Sequence, residues 1–386
     1  MKVGIMSMQR VVNNGSFLQA YSLKKNIEKL GAEVEFVDYK PGPVLVDSSD
    51  KTSSKENSFL HKIADRIVPP VKVPKEKMNE YWDQYKIVDA QYNEKMLPML
   101  GVSSEKKYCT KLDLLVIGSD EVFNCLQPNP DVGYSKHLFG GDTQADRVIS
   151  YAASFGNTKE EGLKKYGIYD EIAGLIRKFA GVSARDKNTY NILKEMSDLD
   201  VIKNVDPVFL YDYNEEIEKI KVPIDNYIVI YAYARRISKE ESKAIIKFAK
   251  KHNKKIVCLC APQTYIDGYL PLNPFEVLAY VKNADFVITD TFHGSVFSIK
   301  YNKQFATFIR GGYEGTYGNN EKLFDLLSTF GLESRSVENI SSLEEILLKK
   351  VNYDEVNTII DTERKKSINY LSQCCRGMQS LPHLRL

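Results

Sequence analysis

Short apolar runs alternate with amphipathic stretches of helix length along almost all of the 386-residue chain. The runs at 2–7, 33–39, 112–117, 147–152, 180–184, 227–233, 255–260, 285–289 and 304–309 read as strands. The stretches at 16–30, 160–179, 187–196, 239–251, 274–282, 295–301, 320–330, 343–349 and 354–378 read as helices. Alternation of this kind predicts α/β layers around mainly parallel sheets, because a parallel pair needs a crossover and a helix supplies it. The chain is too long for one ordinary core, which predicts two domains.

The seam falls in "NVDPVFLYDYNEEIEKIKVPIDNY". Asp206-Pro207 favours an extended backbone there, and the mixed charges that follow have an exposed character. The expected domains are therefore 1–208 and 209–386. The stretch 42–108 interrupts the rhythm. It opens polar and Ser/Lys-rich, passes through "IVPPVKVPKEK" and then turns helical at "MNEYWDQYK". It is an insertion, either a lid with at least one helix or a peripheral helical excursion. The terminal helix has an apolar face of Ile359, Ile360, Ile368, Leu371 and Cys375. Its length allows it to cross back to the first domain or to pack on its own.

Composition removes several classes. Fifty-three basic against 51 acidic residues leave a net charge of +2, and a protein that neutralises nucleic-acid phosphates usually carries a clear basic excess. No run approaches the ~18 apolar residues of a membrane span. The six cysteines include no CxxC pair, and adjacent Cys374-Cys375 is an awkward geometry for a mutual disulfide. Reduced thiols and an N-terminus unlike a signal peptide predict a cytoplasmic protein. The segment "KIADRIVPPVKVPKEK" mixes basic and apolar residues; it suits either contact with a membrane surface or a solvated linker. No phosphate loop, GxGxxG after the first strand, HExxH, GxSxG or His/Cys zinc group is present.

What remains is a repeated pattern at strand ends. "KVGIMS" leads into Asn13-Asn14-Gly15-Ser16 ahead of a helix. "LDLLVIGSDEVFN" breaks at Gly118-Ser119-Asp120. "AGVSARDKNTY" breaks at Arg185-Asp186. "ADFVITDTFHGSVFSIKYNK" breaks at Asp290-Thr291, followed by His293-Gly294-Ser295. Ligands of open α/β sheets lie outside the carboxyl ends of the strands, so four such clusters can face one cleft. Asn14 and Gly15 suit a tight turn with free N–H groups for an anion, or simple capping with Ser16. Ser119 and Asp120 offer a hydroxyl and a carboxylate, or a helix cap. Arg185 matches a carboxylate or phosphate in bidentate fashion, or pairs with Asp186. His293 is the sharpest candidate: an imidazole that exchanges protons near neutrality, flanked by Thr291, Ser295 and the Gly294 N–H. Arg235 and Arg310 also follow strands and suit either an anion or plain surface charge.

Taken together, these strand-end motifs resemble the polysaccharide pyruvyl transferase family. The matching segments are "NNGSFLQAYSLKKNIEKLGAEVEFVDYKP", "LDLLVIGSDEVFN", "ISYAASFG", "GVSARDKNTYNIL", "NVDPVFL" and "ADFVITDTFHGSVFSIKYNKQF". Their ordered set spans most of residues 1–310, and "NNEKLFDLLSTFGLESR" fits after it. The resemblance implies two Rossmann-like domains facing a cleft in a glycosyltransferase-B-like arrangement. It implies transfer of the enolpyruvyl unit of phosphoenolpyruvate to a sugar of a surface polysaccharide or its lipid-linked precursor, as a pyruvate ketal, with release of phosphate. No metal or other cofactor is implied. The setting would be the cytoplasm, at the inner face of the membrane.

The reaction assigns roles. Arg185 would hold one anionic end of the donor, and the turn at Asn14-Gly15 or the helix start at Gly294-Ser295 the other. His293 would be the general acid or phosphate-side donor, and Asp120 would orient or deprotonate the acceptor. Some members of the family carry an arginine two residues before this histidine, where this chain has Thr291; Arg310 or Arg235 is then expected to supply that charge. Two rival readings share the architecture: a nucleotide-sugar-dependent glycosyltransferase, and a non-catalytic member that keeps the fold alone.

Overall fold

The computed structural model describes residues 1–46, 72–108, 110–310 and 320–377. Ten strands are found among them: β1 (Lys2–Met6), β2 (Glu33–Phe36), β3 (Leu114–Asp120), β4 (Val148–Ala153), β5 (Val182–Ala184), β6 (Val201–Lys203), β7 (Tyr227–Ala232), β8 (Lys255–Cys260), β9 (Phe286–Thr289) and β10 (Gln304–Thr307). They form two wholly parallel sheets. The first runs β2-β1-β3-β4-β5-β6 and the second β10-β9-β7-β8. The central strands β4 and β7 are buried from end to end and β3 up to its last residue, Asp120, as parallel strands covered on both faces must be.

In each sheet the order reverses beside the first strand: β1 lies between β2 and β3, and β7 lies between β8 and β9. Such a switch point leaves a crevice at the carboxyl ends, because successive crossovers leave on opposite faces. The helix Asn14–Lys29 leaves β1 and the helix Phe292–Lys300 leaves β9. Strand β6, three residues long, escapes a reading based on apolar runs, and so does its position at the edge of the first sheet. The expected helix at 160–179 is two, Glu160–Lys165 and Tyr169–Ile176, broken at Gly167 with φ +67°.

Two elements tie the halves together. The helix Tyr353–Arg376 starts in the second half, where the Tyr353 hydroxyl donates to the Lys303 carbonyl. It ends on the first sheet, where the Tyr370 hydroxyl donates to the Ser150 carbonyl at 2.8 Å and Arg147 to the Cys374 carbonyl at 2.8 Å. The described part of the insertion contains a helix, Lys75–Gln91, that passes through a π-helical turn, Tyr92–Met96, into Leu97–Leu100. At one end Lys77 pairs with Asp267 at 2.6 Å. At the other, Lys24 donates to the Leu100 carbonyl at 2.9 Å. The expected membrane-contact segment falls largely outside the described residues. Among the described residues, no helix is long and apolar enough to cross a membrane.

Candidate active site between the two sheets

Three strand ends of the first sheet and one of the second deliver polar side chains to one place. Asp120 is the last residue of β3, with φ +77°. Arg185 follows β5, and Asp206 lies three residues beyond β6, capping the short turn Pro207–Leu210 through Val208 N–H. His293 comes from the helix after β9. Arg185 Nη1 donates to Asp206 Oδ2 at 3.2 Å and to Asp120 Oδ1 at 3.4 Å. His293 Nε2 lies 3.4 Å from the same Asp206 oxygen, without hydrogen-bond alignment. The guanidinium stacks 4.2 Å above the Phe292 ring. Imidazole and guanidinium, from different sheets, therefore share one buried carboxylate.

Asp120, Arg185, Phe292 and His293 line a cavity of about 130 Å³ together with Ser16, Glu121, Tyr233 and Lys322, while Asp206 lies outside its lining. Lys322, from the helix Asn320–Thr329, is buried and pairs with Glu121 across the domain seam. The charges nearly cancel. Asp120, Glu121 and Asp206 give three negatives; Arg185 and Lys322 give two positives, and protonated His293 would be the third. Burial would raise the Asp120 carboxyl, but Arg185, His293, the Ser16 hydrogen bond (2.6 Å) and Lys322 together hold it at about 2. Burial likewise opposes the charge on Arg185, and Asp120 and Asp206 outweigh it, so its guanidinium holds its proton more tightly than usual. Asp120 is thus a fixed carboxylate, suited to accepting a hydrogen bond and weak as a base.

At the backbone turns expected to hold an anion, the N–H groups of Gly15, Ser16, Gly294 and Ser295 already have partners within the protein. Asn13, not Asn14 or Ser16, caps the first helix, and its Oδ1 accepts from Gly15 N–H at 2.8 Å and Ser16 N–H at 3.2 Å. The second helix starts at Phe292 rather than at 295. Thr291 is its cap: its Oγ1 accepts from Gly294 N–H at 2.9 Å, and its carbonyl accepts from Ser295 N–H at 3.3 Å. Ser295 Oγ turns to the Thr291 carbonyl and Thr307. Asp186 caps the next helix through Thr189 N–H, and Ser119 Oγ donates to the Ala152 carbonyl. Gly15 has a different use. A Cβ there would overlap the His293 ring, so only glycine lets the helix pass the imidazole this closely.

Arg310 and Arg235 stand apart from the small cavity. Arg310 forks onto Glu241 at 2.6 and 3.0 Å and lies 3.7 Å from Asp290, which also pairs with Arg236 at 2.9 Å. Arg235 stacks over Trp82 of the insertion at 4.9 Å. The second cation in the cavity is Lys322. It sits in an amphipathic helix, where nothing local distinguishes it from solvated charge. Asp206 went unread as a site residue because β6 did; with that strand in place it is one more acidic residue at a strand end.

A glycosyltransferase-B-like fold is found in solved proteins of very different sequence. One UDP-N-acetylglucosamine 2-epimerase matches with a TM-score of 0.50 at 9% identity, covering 99% of this chain and 98% of its own. The UDP-GlcNAc 2-epimerase of Methanocaldococcus jannaschii gives 0.46 at 11%, covering 98% and 100%. MnaA of S. aureus, in its structure with UDP, gives 0.47 at 11%, covering 99% and 98%. No curated protein matches. The polysaccharide pyruvyl transferase family model matches residues 13–311, a span that takes in Gly15, Asp120, Arg185, Asp206 and His293. The chain belongs to the polysaccharide pyruvyl transferase family.

Proposed function

We propose that the protein transfers the enolpyruvyl unit of phosphoenolpyruvate to two hydroxyls of a saccharide, forming a pyruvate ketal and releasing phosphate. The observation that carries this reading is the convergence of Arg185 and His293 on one oxygen of Asp206, at the wall of a cavity shared with Lys322. A small donor with a carboxylate and a phosphate needs two cationic contacts and a proton source, and this is the set that the cavity offers.

Atoms and charges balance without another reactant. The methylene carbon takes a proton from His293, and the electron-poor central carbon that results is attacked by one sugar hydroxyl. The C–O bond to phosphate breaks, and the second hydroxyl closes the ketal. Of the two protons the hydroxyls release, one returns to His293 and one leaves on phosphate. His293 Nε2 is buried with no aligned hydrogen-bond partner among the described residues, so its proton is not committed to a protein acceptor. Arg185 and Lys322 would face the donor's anionic ends, and Asp120 would hold an acceptor hydroxyl in line.

The sequence left a nucleotide-sugar transferase open. Thermal unfolding with each ligand separates the two: a donor at ~100 Kd should add ~2.7 kcal/mol. Phosphoenolpyruvate is expected to stabilise the protein and a panel of UDP-sugars is not. Stabilisation by a UDP-sugar alone would overturn the proposal.

A further inference from the structure

A cavity of about 750 Å³ opens beside the small one, and Asn13 and Tyr233 line both. Its size lies in the range of about 300–1,000 Å³ typical of small-molecule sites. One wall is the insertion. Tyr85, Asp89, Tyr92 and Met96 recur every three to four residues along its helix and face the same space. The facing wall is the loop after β8 with Tyr269 and Phe275. The insertion is held at both ends. Val73 N–H donates to the Thr264 carbonyl at 3.1 Å and the Tyr81 hydroxyl to Asp267, while Tyr92 packs edge-on against Phe17 of the first domain at 6.1 Å.

The lining has a recognisable chemistry. Aromatic rings offer flat apolar faces, and Asp89, Glu276, Asn14 and Gln91 offer hydrogen-bonding groups between them. Asp89 is half-buried, and its carboxylate has no hydrogen bond or ion pair among the described residues; burial raises it above the ordinary carboxylate range. Lys95 is the lysine or arginine among the lining residues, against Asp89 and Glu276. That balance is unsuited to a diphosphate. A pyranose, in contrast, has an apolar face that packs on an aromatic ring and a rim of hydroxyls that donate to carboxylates and amides.

We propose that this cavity holds the saccharide acceptor and that Tyr85 and Asp89 of the insertion select it. Its link to catalysis rests on the pyruvyl-transfer reading: a sugar here would present hydroxyls between Asn13 and Tyr233 toward His293. Saccharide recognition itself does not depend on that reading.

Trp82, the single tryptophan of the chain, meets the Tyr85 ring at 5.5 Å and reports on this wall. The test titrates gluco-, galacto- and manno-oligosaccharides of two to four units against intrinsic fluorescence, without phosphoenolpyruvate, with UDP in parallel. At least one saccharide is expected to give a saturable change. Tyr85→Ala and Asp89→Asn should each weaken it at least tenfold and leave stabilisation by phosphoenolpyruvate intact, which also shows the variants folded. Saturable binding of UDP alone, no saturable saccharide response, or affinities within twofold of the parent in both variants would overturn the assignment. Saccharide binding that depends on both residues, in a protein that phosphoenolpyruvate fails to stabilise, would sink the transfer reading and leave this one standing.

Discussion

Two clusters of arginine and carboxylate sit at strand ends in this protein, and they are built differently. In the first, Arg185 lies between Asp120 and Asp206, and His293 arrives from the other sheet. In the second, Arg236 and Arg310 enclose Asp290, and Arg310 forks onto Glu241. The residue types are alike, and both clusters follow parallel strands. The second cluster is assembled from residues of the second half of the chain alone. The first spans the seam and keeps an imidazole nitrogen and an ammonium at a cavity wall. We propose that the cluster spanning the seam takes a ligand and that the cluster within one half is a structural network.

The sharpest way to break this contrast is to remove the central cation of each cluster. Arg185→Met is expected to lower acceptor-dependent phosphate release by 10²–10³-fold, the usual cost of losing one fixed electrostatic contact to reacting charge. Arg310→Met is expected to leave turnover within threefold and to lower stability by about 1–3 kcal/mol, since Glu241 and Asp290 lose charged hydrogen-bond partners. Equal losses of turnover would erase the distinction. Gly15→Ala probes the same boundary from the backbone. Its methyl group would displace the His293 ring, and a misplacement of about 1 Å can cost 10²-fold. Turnover should fall by about that factor with unchanged phosphoenolpyruvate affinity; parental turnover would mean the ring position is not critical.

A smaller effect separates the two acids by pH. The Asp120 carboxyl is held at about 2, below its ordinary value near 4, so it contributes stability that is present above pH ~4 and lost as the pH falls toward 2. For Asp290 burial outweighs Arg236 and Arg310 and raises the carboxyl, so its charged form costs stability at neutral pH and acid relieves that cost. Asp120→Asn should flatten the loss of stability between pH 4 and 2, and Asp290→Asn should not. Denaturant unfolding across that range measures both; matching acid limbs would refute the assignment.

The strand ends themselves were legible in the sequence. Apolar runs that stop at Asp120, at Arg185 and at Asp290 state where strands deliver side chains, and parallel topology states that they deliver them to one side. Direction within the cluster was not legible. Thr291, Gly294 and Ser295 sit beside His293 in sequence, yet helical geometry turns their hydrogen bonds onto one another and onto Thr307. Asp206 and Lys322 enter because a three-residue strand and a distant helix meet at the seam, which no local pattern records. The insertion shows the same limit. Its helix was readable from "MNEYWDQYK", but which face meets a cavity depends on anchors at Asp267 and Leu100.

The central claim is that the cluster spanning the two sheets, with its imidazole, takes phosphoenolpyruvate. Calorimetric titration of phosphoenolpyruvate tests it without any need for the acceptor. The account predicts saturable binding to the parent protein, at least a hundredfold weaker binding to Arg185→Met, and unchanged binding to Arg310→Met. No binding to the parent, or binding to Arg185→Met as tight as to the parent, would contradict it.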